Sequence, residues 1–81
     1  MSDWLAKIAA ALPIVEERMK PLQDEGIVTR INFSAAKWGY EPYRPTIRIS
    51  VAGTLNEWMR HSIEIEKLLE DLEVGIDVAH V

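Results

Sequence analysis

Apolar residues between positions 3 and 23 recur at Leu5, Ile8, Leu12, Val15, Met19 and Leu22, three and four apart, the repeat of one helical face. Pro13 and Pro21 fall inside this run, and each removes a backbone donor and crowds the preceding turn, at about 3 kcal/mol in a regular helix. Because the stripe keeps its phase across Pro13, the pattern predicts one bent helix over about 3–23, ended by Gly26.

From Ile27 the period drops to two. Ile27, Ile31, Phe33 and Ala35 point one way, and Val28, Arg30, Asn32 and Ser34 point the other, as in a half-buried strand. Thr46 to Ala52 repeats the pattern, with Ile47, Ile49 and Val51 inward and Thr46, Arg48 and Ser50 outward, so the two strands form a hairpin. After Gly53, the stretch Thr54-Leu55-Asn56-Glu57 fits a capping box that opens a second helix. Its stripe of Leu55, Trp58, Ser62, Ile65, Leu69 and Leu72, widened by Met59 and Leu68, carries it to about Glu73. Val74, Ile76, Val78 and His80 then alternate with Gly75, Asp77 and Ala79, which reads as a third strand.

The expected class is therefore α+β, in the order α-β-β-α-β. A helical crossover brings the third strand back parallel to the second, where it can pair antiparallel with the first. The expected sheet has three antiparallel strands in the order 2-1-3, with both helices on one face. Arg30, Asn32, Ser34, Arg48, Ser50 and Asp77 lie on the other face, which no element of the chain covers. Two unpaired edges remain, so a homodimer through an edge strand is one route to assembly.

The 81 residues suit a single domain with one core. With 48% hydrophobic and 27% charged residues the composition is that of an ordinary globular domain, not a disordered chain. The absence of cysteine excludes thiol nucleophiles, thiolate-bound zinc and iron–sulfur clusters, and makes a reducing cytoplasm the default expectation. No apolar run approaches the roughly 20 residues of a membrane span. The net charge of −4 is unevenly distributed. Cations against acids give −2 for residues 1–26 (three against five), +3 for 27–53 (four against one) and −5 for 54–81 (two against seven).

The loop from Trp38 to Pro45 concentrates Trp38, Tyr40, Tyr43 and Arg44, the residue types that most often dominate binding interfaces, together with two prolines. Trp38 folded back as a core plug is the structural reading of the same residue. With Arg30, Lys37 and Arg48 added, the hairpin forms a basic aromatic surface on which single-stranded nucleic acid can stack. The order loosely resembles the α-β-β-α-α-β layout of type II K-homology domains. That family's Gly-x-x-Gly clamp is missing, since Met59-Arg60-His61-Ser62 occupies the position, and no nucleotide-binding residue carries across. Glu57, His61 and Glu64 share a helix face but are too few for a zinc site, and there is no Gly-x-Ser-x-Gly or phosphate-cradling loop. The carboxylates Glu64, Glu66, Glu70, Asp71 and Glu73 form an acidic strip suited to a Lys- and Arg-lined groove.

These readings converge on a protein-binding module rather than an enzyme, with no cofactor or metal. The leading expectation is a small acidic inhibitor or adaptor of a larger nucleic-acid-handling protein, analogous in size and charge alone to phage-encoded anti-CRISPR proteins. A nucleic-acid-binding hairpin and a homo-oligomeric subunit are the alternatives.

Overall fold

A computed structural model of the chain describes residues 3–36 and 44–81, with side chains described over 5–33 and 46–81. Trp38, Tyr40 and Tyr43 lie outside the described residues. The elements run α1 (Asp3–Asp24), β1 (Val28–Ala36), β2 (Arg44–Val51), α2 (Leu55–Leu68) and β3 (Gly75–His80).

Helix α1 continues through both prolines as one element. Pro13 and Pro21 are exposed, as are Ala9 and Glu17, whose carbonyls lose their usual partners four residues on, so water can take over those bonds. At its C-terminus Ile27 N–H reaches Leu22 C=O at 2.9 Å and Gly26 N–H reaches Gln23 C=O at 3.0 Å. This Schellman closure needs a left-handed residue, supplied by Gly26 at φ 78°. It reverses the chain so that β1 runs back beneath the helix.

The sheet corrects the expected topology. Its order is β1-β2-β3, and it is mixed: β1 pairs antiparallel with β2, while β3 pairs parallel with β2. The direction of β3 agrees with the expectation; its neighbour does not. A parallel pair needs a crossover of a dozen residues or more, and residues 52–74 with α2 inside them supply it. The central place goes to the strand with the fully buried row, Ile47, Ile49 and Val51, all at 0% exposure. Burying each contributes about 1.5–3 kcal/mol. The register extends that row through Ile76 and Val78 on β3, and Arg48 bonds Asp77 on the opposite face, Nε to Oδ2 at 3.0 Å.

Both helices cover one face, as the patterns imply. Ile8, Ala11, Val15 and Met19 from α1, with Ile65 and Leu69 from α2 and the turn after it, meet the β2 row in one core. Two assignments on β1 need correction, one outward and one inward. Val28 is buried, not outward, because an irregularity between Val28 and Arg30 inserts Thr29 and shifts the alternation by one. Phe33 lies on the core side opposite Ile47 yet stays 49% exposed, since β1 is an edge strand. Helix α2 also stops at Leu68, short of Glu73, with turns and bends carrying the chain to β3.

Candidate binding surface

Helix α2 begins at the expected capping box. Glu57 N–H donates to Thr54 Oγ1 at 3.2 Å, and Thr54 N–H donates to Glu57 Oε1 at 3.0 Å. The Thr54 backbone N–H, followed by the Thr54 side chain, holds the Glu57 carboxyl below its ordinary range. Glu57 thus serves the helix start. His61 Nδ1 is 3.8 Å from Glu64 Oε2, and no group of three or more metal-ligating side chains occurs among the described residues.

The apolar arc of α2 is wider than its contact with the core. Ile65 is buried and Trp58 half-buried, whereas Leu55, Met59 and Ile63 are 59%, 51% and 58% exposed. Spaced four apart, these three form a row along the helix, rotated by roughly 80–160° from Ile65. Glu66, three residues after Ile63 and seven after Met59, falls within the same stripe and is exposed. Leu55 and Met59 belong to the stripe expected to be buried; Leu68, also in it, is exposed at the other margin. A helix resting on a single edge strand buries only a narrow arc.

The acidic residues do not form one strip. Glu64 and Glu66 are two positions apart and therefore about 160° apart around α2. Glu70 lies beyond the helix end. Asp71 accepts from Arg18 and, held by that hydrogen-bonded ion pair, has its carboxyl depressed below the usual value. Glu73 lines a groove of about 220 Å³ with Lys7, Ile14, Asp71, Leu72 and Val74. Arg48 sits on the far face of the sheet with Asp77, away from α2. Arg44 opens β2 in register with Ala36.

Two contacts were not legible in the patterns. Trp58 Nε1–H donates to Val78 C=O at 3.1 Å, and the Trp58 and His80 rings lie 6.0 Å apart. His80 Nε2 is 2.7 Å from Gly53 C=O, which makes that nitrogen the donor. The signals were present only as a tryptophan in the apolar stripe and a histidine in phase with the β3 interior.

No helix among the described residues is long and apolar enough to cross a membrane. No protein-family model, curated protein or solved structure significantly matches the chain.

Proposed function

We propose that the chain is a non-catalytic protein-binding module, an inhibitor or adaptor that docks α2 into a basic, partly apolar groove on a larger nucleic-acid-handling protein. The exposed row of Leu55, Met59 and Ile63 with Glu66 inside it carries this reading. Covering the row in a complex removes three large side chains from water, worth roughly 2–4 kcal/mol given their partial exposure. Glu66 and the −5 balance of residues 54–81 (two cations against seven acids) select a cationic partner and repel nucleic acid itself. A direct nucleic-acid role has weaker support, because Arg48 is already bonded by Asp77.

The test is affinity capture from native cells, followed by a Kd measured with the purified captured protein. The expected partner binds nucleic acid and is released from the chain by that nucleic acid. Met59→Ala with Ile63→Ala, and separately Glu66→Lys, weaken the complex tenfold or more, about 1.4 kcal/mol. Variants that both bind as tightly as the native chain reject the α2 face. A partner that does not bind nucleic acid rejects the partner class.

A further inference from the structure

The two edges of the sheet differ. Ala52 N–H bonds Ile27 C=O on the β1 side, and Val81 N–H bonds Val51 C=O between β3 and β2. Backbone groups alternate sides along a strand, so Thr46, Arg48 and Ser50 turn toward β1 while Ile47, Ile49 and Val51 turn toward β3. The outward groups are then those of Ile76, Val78 and His80 on β3, and of Ile31, Phe33 and Ala35 on β1. On β3 the Val78 carbonyl is closed by the Trp58 indole. No described side chain does this for β1.

The surroundings of the β1 edge are apolar. Phe33 is 49% exposed and Ile31 half-buried. On α1, Leu5 and Leu12 lie roughly 120–140° around the helix from Arg18, which turns to Asp71 on the α2 side, so both leucines flank β1. Leu5 is 47% exposed.

We propose that two copies of the chain associate through this edge, β1 pairing antiparallel with the partner's β1 about a two-fold axis at Phe33, to form a six-stranded sheet. The regular ladder runs from Arg30 to Ala36, beyond the Thr29 irregularity, and Phe33 is its midpoint. Pairing about that point sets Phe33 against the partner's Phe33, Ile31 against the partner's Ala35, Asn32 against the partner's Ser34 and Arg30 against the partner's Ala36. The outward N–H and C=O groups of Ile31, Phe33 and Ala35 all find partners, and no two charges oppose. This self-complementarity names a second copy as the occupant. The surface is separate from α2, which packs over β3, so either proposal can fail alone.

Light scattering over a broad concentration series is expected to show twice the 9.2 kDa chain mass, with the Ile31 and Phe33 amides slow to exchange. Phe33→Lys is expected to return the mass to 9.2 kDa with its circular dichroism retained. If that variant unfolds, Ala35→Pro removes an outward donor without touching the β1–β2 ladder and gives the same return. A chain that stays at 9.2 kDa at millimolar concentration overturns the proposal. So does a dimer that survives these variants, or one whose Ile31 and Phe33 amides exchange at unprotected rates.

Discussion

Arg18 grips Asp71 at two points, Nη1 to Oδ1 at 2.7 Å and Nη2 to Oδ2 at 3.1 Å, and donates from Nη1 to Leu68 C=O at 2.8 Å. One guanidinium thus ties the middle of α1 to the end of α2 and to the turn that launches β3. The planar fork of arginine suits this double bond to a carboxylate, and lysine does not reproduce it.

The pair sets an acid sensitivity. Asp71 has a folded pKa below its ordinary 3.8, so its contribution is complete above that value and lost as pH falls through the lower folded value. Glu57, lowered by its cap, acts in the same direction. Melting temperature measured across acidic pH should therefore fall steeply in the native chain and less steeply in Arg18→Ala, which starts lower at neutral pH. Parallel curves for the two would show that the ion pair contributes nothing to acid unfolding.

Removing the cap isolates the start of α2. Thr54→Ala leaves the Glu57 N–H without its partner and should cost about 1 kcal/mol, a fall of about 4–8 °C in Tm for a domain of this size. Thr54→Ser should restore most of it. If the alanine and serine variants melt together, the hydroxyl bond is not what stabilises the helix start.

Neighbouring isoleucines on α2 should behave oppositely. Ile65 is fully buried and Ile63 is 58% exposed. Ile65→Ala should lose about 2–5 kcal/mol in urea unfolding, while Ile63→Ala should stay within about 0.5 kcal/mol. Similar losses would mean that α2 is rotated from the orientation described.

Trp58→Phe keeps an aromatic ring but deletes the donor that closes the Val78 carbonyl. About 1 kcal/mol of stability should go with it. The β3 edge should open at the same time, so the scattering mass should exceed that of the native chain at equal concentration. An unchanged mass with reduced stability would limit the indole to a packing role.

How much of this was legible follows from the range of each interaction. The three- and four-residue stripe of α1 predicts a helix over 3–23, and the helix runs Asp3–Asp24. Thr54 and Glu57 are three residues apart, so their reciprocal bonds could be read from composition and spacing. The candidate surface was less legible. Leu55 and Met59 carry the same hydrophobic signal as Ile65, and nothing local distinguishes the residue that enters the core from those that meet water. Glu64, Glu66 and Asp71 are close along the chain but point to different surroundings once α2 turns and Arg18 arrives from α1.

Local periodicity and capping chemistry by themselves determined which segments are helical or extended and that one sheet face is polar, because those properties depend on residues at most four apart. Only the tertiary structure decided that β2 is central, that β3 lies parallel beside it, that Thr29 shifts Val28 inward and that Trp58 closes the Val78 carbonyl on the β3 edge while no described side chain does so on β1. Each of these depends on which distant segment arrives as a neighbour, and a hydrophobic face records that it needs cover without recording what covers it.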